Sequence, residues 1–181
     1  MNRLVFRKLP QLSYPVNEAF NTLSTNVSFL GRDIKKIMIT SSQASEGKSF
    51  TSITLCRKLA ERGKRVVLVD TDLRRSRITT VYGVQFAPGS KKQGLSHYLA
   101  GIAEKEEVLF HTNVPGMDFI PIGHELQNPV PLLSSQRFQS LLDELAEQYD
   151  YVIVDAAPVG MVIDAAEVAK ACDGILLLVC Y

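Results

Sequence analysis

The stretch from Lys35 to Asp72, KKIMITSSQASEGKSFTSITLCRKLAERGKRVVLVDTD, constrains the fold more than any other part of the chain. The apolar run Ile37–Thr40 predicts a buried strand. It breaks into a loop of small and polar residues, Ser41 to Gly47. Lys48-Ser49 then opens a helical stretch that runs to Arg62, with Gly63 as its stop. Arg65 to Asp70 predicts a second buried strand, and this one ends in carboxylates. Strand, small-residue loop, Gly-Lys-Ser, helix, strand and Asp form the pattern of a phosphate-binding βαβ unit.

The chemistry of such a loop follows from its backbone. Successive N–H groups turn inward and the following helix presents its positive N-terminus, so the two form an anion site for nucleotide phosphates. Gly47 removes a Cβ where the backbone must come close. Lys48 places a point charge between the terminal phosphates, and Ser49 offers its hydroxyl to Mg²⁺. The candidate nucleotide-binding set is therefore Ala44, Ser45, Glu46, Gly47, Lys48, Ser49 and Phe50. The pattern GxxxxGK[ST] is incomplete, because Ser42 stands where its first Gly belongs.

The remaining bounds are broad. A chain of 181 residues is long enough for one α/β domain with a sizeable core. A net charge of +1 advertises no nucleic-acid partner. Cys56, Cys172 and Cys180 are scattered and sit in no metal-ligand spacing, so they read as small apolar residues in a reducing compartment. No apolar run approaches the length needed to span a bilayer, and the N-terminus lacks a signal-peptide core. The expectation is a cytoplasmic protein with no direct membrane insertion, brought to a membrane only by a partner.

Along the chain, Met1 to Pro15 reads as an extended arm. Val16 to Leu30 reads as an amphipathic helix with Ala19, Phe20, Leu23 and Val27 on one stripe, stopped at Gly31. It either covers its own sheet or serves as a contact between copies. Leu73 to Arg77 carries Arg74 and Arg75 directly after the carboxylates, at the end of a strand where ligands bind in open α/β sheets. Val84 to Gln93 reads as a mobile loop. A short helical piece spans Gly94 to Leu99, and Glu104 to His111 suggests another helix. Met117 to Ile120 is a strand. Asn128-Pro129 marks a turn, and a long helix starts at Ser134. Asp150 to Asp155 is a strand, Val162 to Ala171 a helix and Ile175 to Cys180 a last strand. About five buried strands alternating with helices predict a doubly wound, mainly parallel α/β sheet. The expected organisation is one nucleotide-binding domain, with residues 1–34 as arm and helix and residues 35–181 as core. The stop after a strand suggests that a final element is missing.

Asp70, Asp72 and Asp155 end or follow core strands and are expected at the same sheet edge as the phosphate loop. Carboxylates there can hold Mg²⁺ or its waters and can take a proton from an attacking hydroxyl. The candidate catalytic residues are Lys48, Asp70, Asp72 and Asp155. The candidate metal ligands are Ser49, Asp70, Asp72 and Asp155. His97, His111 and His124 share no spacing and are assigned no chemistry.

ITSSQASEGKS, VVLVDTDLR and YDYVIVDAAPVG together make the chain resemble the bacterial tyrosine kinases of capsular and exopolysaccharide synthesis, above all their stand-alone cytosolic kinase subunit. GLSHYLAG and DAAEVAKACDGILLLV add to the likeness. The fold also resembles septum-positioning and plasmid-partition ATPases, but the Asp-x-Asp-x-Arg element favours the kinases. The resemblance implies ATP and Mg²⁺ as cofactors, and tyrosines of other copies of the chain or of other proteins as substrates. It also implies a transmembrane adaptor of the chain-length-regulator type. Lys48 would bind phosphate and Ser49 the metal. Asp70 and Asp72 would position the metal and activate the tyrosine hydroxyl, and Asp155 would complete the metal shell. A nucleotide-switch ATPase and a non-catalytic regulatory homologue are the alternatives.

Three departures stand out. The family has Pro-Gly where this chain has Ala44-Ser45, and Ser enters the left-handed region less readily than Gly. Asn21 and Ser24 replace the two arginines that pair with Glu18 across the family's ring, so a monomer or small oligomer is expected. The six tyrosines form no cluster of the kind those kinases carry at their C-terminus.

Overall fold

The structure, a computed structural model, describes residues 2–160 and 163–179. Among these, six strands form the central sheet in the order β5-β6-β3-β7-β2-β8. The strands are β2 (Lys36–Ser41), β3 (Val66–Asp70), β5 (Phe110–His111), β6 (Met117–Ile120), β7 (Tyr151–Asp155) and β8 (Gly174–Leu178). All neighbours run parallel except β5, which pairs antiparallel with β6 at one edge. Strands β3 and β7 are buried at every position. Both faces of a parallel sheet are covered by helices, which is why these strands read as unbroken apolar runs.

Alternate residues of each strand point to opposite faces and build two cores. Met38, Val67, Val69, Val152 and Val154 face α7 (Gln136–Gln148) and α8 (Asp164–Ala169). Ile37, Ile39, Val66, Leu68 and Ile153 face α2 (Lys48–Glu61), which brings Ile53, Leu55 and Leu59 to the second core. Helix α7 starts two residues after the expected Ser134: Ser135 caps it, the hydroxyl accepting from the Phe138 N–H, and Phe138, Leu141, Leu142 and Leu145 are its buried stripe.

The first helix, α1 (Tyr14–Ser28), lies on α2 of the same chain. Phe20, Ser24 and Val27 are its buried residues, whereas Ala19 is exposed. Arg62 donates to Ser24 Oγ at 3.3 Å and to Thr25 Oγ1 at 2.6 Å. The first helix therefore covers its own chain, one of the two roles open to it. Ser24 is a buried packing position. Glu18 is exposed and accepts from Asn21 Nδ2 at 3.0 Å, so it is not a buried orphan.

Four further assignments change. The arm is not merely extended: β1 (Leu4–Phe6) pairs antiparallel with β4 (Val84–Phe86), which takes the start of the expected mobile loop into a two-stranded ribbon. Leu4 and Phe6 are buried, so the arm is anchored by its apolar side chains. The helix expected from Glu104 shrinks to α5 (Lys105–Val108) and gives way to β5. Strand β8 is half-exposed, with Ile175 and Leu177 facing outward, because it is the other edge of the sheet. The predicted helix start at Val162 and strand end at Cys180 fall outside the described residues.

Candidate active site

The site is assembled by strand register. Asp70, the last residue of β3, sits opposite Asp155, the last residue of β7, while Asp155 also pairs with Ile39 of β2. The three central strands therefore deliver two carboxylates side by side, directly under the loop that leaves β2. The loop is fastened to the segment after β7. Val159 N–H donates to Ser41 O at 2.9 Å and Gly160 N–H to Ser42 O at 3.2 Å. A Cβ on Gly160 would meet that Ser42 oxygen at 2.4 Å, so only glycine permits this approach.

Within the loop, Gly47 has φ +88° and caps α2. A Cβ there would meet nothing within 4 Å, so its glycine serves the left-handed backbone and not a lack of space. Ser45 also has positive φ, 67°, alone among the described non-glycine residues. The departure from Pro-Gly thus falls on a position that does require the left-handed conformation. Glu46 turns back on the loop: its carboxylate accepts from Ser42 Oγ at 2.9 Å and from the Gln43 N–H at 2.8 Å.

At the base, Lys48 Nζ pairs with Asp72 Oδ2 at 3.0 Å. Ser49 Oγ donates to Asp155 Oδ2 at 2.7 Å, and Ser52 Oγ donates to Asp155 Oδ1 at 2.7 Å. Asp70 accepts from Ser76 Oγ. Burial and the charge of Asp155 push the Asp70 carboxyl well above the usual carboxylate range. Burial also raises Asp155, while Lys48, Ser49 and Ser52 pull it back. Burial works against the Lys48 ammonium, but Asp155 and Asp72 outweigh it and hold its pKa above the ordinary lysine value. Three buried acids, Asp70, Asp72 and Asp155, beside one lysine form a cluster short of positive charge.

These groups line a cavity of about 850 Å³. Ala44, Ser45, Gly47, Lys48, Ser49, Phe50 and Asp72 are on its wall; Asp70 and Asp155 lie buried behind it. The donors at its base are all oxygens, the set that suits Mg²⁺. Among the described residues, no three His, Cys, Asp or Glu side chains are arranged to hold a metal ion by themselves.

Sequence reasoning missed three side chains. Ser52 lies three residues after Ser49 on the same face of α2, a spacing that could have exposed it. Ser76 follows the carboxylates in the arginine-rich run. Asp164 is buried and takes a bidentate pair from Arg74, at 2.6 Å from Nε and 3.0 Å from Nη2. Its partner is 90 residues away, and no local pattern signals it. Arg74 is thus tied to α8, and its guanidinium also donates to the Gln127 carbonyl.

A phosphate loop at the carboxyl end of a parallel sheet, with acids on the two neighbouring strands, defines a P-loop nucleotide-binding protein. The AAA domain family matches residues 34–179, and the chain belongs to it, within its bacterial tyrosine-protein kinases. It is 39% identical over 161 residues to the tyrosine-protein kinase CpsD of Streptococcus agalactiae, covering 89% of this chain and 68% of that one. The kinase domain of the Escherichia coli tyrosine kinase ETK superposes with a TM-score of 0.82 at 34% identity, over 90% of this chain and 63% of that one. The septum site-determining protein MinD of Pyrococcus horikoshii, a complex with Mg-ADP, shares the fold at a TM-score of 0.66 and 23% identity, over 80% and 57% of the two chains. The kinases are the nearer relatives, as the Asp-x-Asp-x-Arg element predicts.

Proposed function

We propose that the chain is an ATP-dependent protein-tyrosine kinase that regulates capsular or extracellular polysaccharide synthesis, with Lys48, Asp70, Asp72 and Asp155 as its catalytic residues. The observation that carries this reading is the joint placement of two pairs in one site: Lys48 on Asp72 at 3.0 Å, and Ser49 on Asp155 at 2.7 Å. Each pair joins a phosphate-loop residue to a strand-end carboxylate.

The residues then divide the work. Backbone N–H groups from Ala44 to Phe50 and the N-terminus of α2 cradle the phosphates of ATP. Lys48 transfers from Asp72 to the terminal phosphates, because a phosphate oxygen offers it more charge than one carboxylate. That exchange frees Asp72 at the moment a nucleotide is in place. Asp72 accepts the proton of the tyrosine hydroxyl, whose oxygen attacks the γ-phosphorus as the bond to the β–γ bridging oxygen breaks and ADP leaves. Ser49, Asp70 and Asp155 would hold Mg²⁺, which when bound would neutralise charge on the transferring phosphoryl group.

In this reading residues 1–34 are an arm and helix on a nucleotide-binding core of residues 35–181, together one domain. Among the described residues no helix is long and apolar enough to cross a membrane. We place the kinase in the cytoplasm, recruited to the inner face of the membrane by a transmembrane adaptor of the chain-length-regulator type. Its substrates are tyrosines of other copies or other proteins. The test incubates the protein with ATP, Mg²⁺, the adaptor's cytoplasmic fragment and a tyrosine-bearing tail. Phosphotyrosine on the tail is the expected result; phosphate release without phosphotyrosine selects a nucleotide-switch ATPase instead.

A further inference from the structure

The cavity wall beyond the phosphate loop carries a charge that the nucleotide chemistry leaves unused. Lys48 is matched by Asp72 at 3.0 Å and Arg74 by Asp164 at 2.6 Å. Arg75 and Arg77 also line the cavity and are exposed. Among the described residues, neither guanidinium has an ion-pair or hydrogen-bond partner. Against them the lining offers one further carboxylate, Glu125. Arg75 is held close to the proposed base, because its backbone N–H donates to Asp72 Oδ1 at 3.2 Å. Arg77 stands two residues on, at the start of α3 (Ile78–Val81), and Val81 adds an exposed apolar surface to the same wall.

We propose that Arg75 and Arg77 select the acceptor: the kinase prefers a tyrosine flanked by acidic side chains. This rests on the kinase reading above. A tyrosine whose hydroxyl reaches Asp72 brings its neighbours in the peptide within the range of these two residues. A guanidinium offers a carboxylate a forked, charge-assisted contact that neutral side chains lack. The contacts are exposed, so each contributes modestly. Together they should raise the specificity constant roughly three- to tenfold, and the preference should fade with salt as screening shortens the reach of the charges.

The experiment compares three peptides that differ only in the residues around one tyrosine, which are Glu, Gln or Lys. Initial rates of transfer from ATP are expected to rank Glu over Gln over Lys. In Arg75→Glu with Arg77→Glu the order should invert, with the KM for ATP unchanged. A structural role alone would lower all three rates and could not invert them. Equal rates for the Glu and Gln peptides would overturn the proposal while leaving the kinase reading intact. A raised KM for ATP with no change in peptide order would assign the arginines to nucleotide phosphate instead, and overturn it as well. If no peptide is phosphorylated, the kinase reading itself fails. Binding of the same peptides with Phe for Tyr, followed by fluorescence anisotropy, then judges the acidic preference separately. Equal binding of the Glu and Gln forms would overturn it.

Discussion

The two ends of the sheet treat carboxylates in opposite ways. At the amino end of the central strands, Asp118 on β6 accepts from His111 Nδ1 at 2.7 Å and from the Tyr149 hydroxyl at 2.5 Å. Its oxygens are satisfied, and the contact closes the turn between α7 and β7 onto the sheet. At the carboxyl end, Asp70 and Asp155 are forced side by side by register, wholly buried, with hydroxyl donors and one shared lysine. One arrangement settles a charge; the other holds two charges together that water would separate. The difference favours the carboxyl end as the proposed site of chemistry, since strain among ionisable groups persists only where the surrounding fold imposes it.

The sharpest break between the two ends comes from Asp72→Asn. Removing the charge of the proposed base while keeping its shape should lower phosphoryl transfer about 10²–10⁴-fold, with ATP binding largely retained. A wild-type rate from this variant would end its assignment as the base. Next in size is Lys48→Met, which removes the cation of the phosphate loop. Charge-assisted bonds of this kind are worth about 1.5–3 kcal/mol, so affinity for a fluorescent ATP analogue should fall roughly 10- to 150-fold.

Asp118→Ala tests the opposite end. It strips His111 and Tyr149 of their acceptor and should cost about 1–3 kcal/mol of stability. Transfer by the folded protein should not change. Loss of activity at constant fold would show that the amino end contributes to the reaction and would dissolve the contrast drawn above.

What a sequence makes legible depends on the range of each interaction. The βαβ unit, the five parallel strands and the existence of α7 rest on signals within a few residues and were legible, although the start of α7 was placed at Ser134 and its cap is Ser135. The pairing of Asp70 with Asp155 was legible only as a shared edge; the register that makes them neighbours is set by packing across 85 residues. The β1–β4 ribbon was missed because each half is three residues long, too short for periodicity to speak. Arg74 was legible as a residue at a ligand-binding edge, but its link to Asp164 was not. Ser24 misled, because an exposed interface position and a buried serine beside Arg62 look alike in a sequence.

Asp70→Asn should stabilise the nucleotide-free protein, by about 0.5–2 kcal/mol, as commonly follows when a strained functional group is removed. The groups facing Asp70 are Asp155, Asp72 and Lys48. Burial and the Asp155 charge hold its folded-state pKa well above the usual carboxylate range, so the native state binds more protons than the unfolded chain. The corresponding stability is complete below about 3.8 and is lost as pH rises through the folded-state value. Urea midpoints of the wild type should therefore decline as pH climbs above the ordinary carboxylate range, and the variant should decline less. Parallel pH curves for the two proteins would show that the carboxyl is compensated better than its surroundings indicate.

The smallest effect is expected at Ser45. Its φ of 67° places a residue with a Cβ in the left-handed region, which costs about 1–2 kcal/mol relative to glycine. Glycine is itself penalised by the greater freedom of its unfolded chain, about 0.4–1 kcal/mol. The two terms oppose each other and the first is larger, so Ser45→Gly should stabilise by a few tenths to about 1 kcal/mol. Gly47→Ala is the mirror case: at φ +88° both terms change sign and the steric one is larger, so it should destabilise, although no neighbour would meet its methyl group. The pair separates conformation from crowding. If Ser45→Gly proved less stable than the wild type, the serine side chain would have to contribute more than its backbone costs. The loop would then be held by that contact, and the Ala44-Ser45 departure would be a substitute for the Pro-Gly turn instead of a strained version of it.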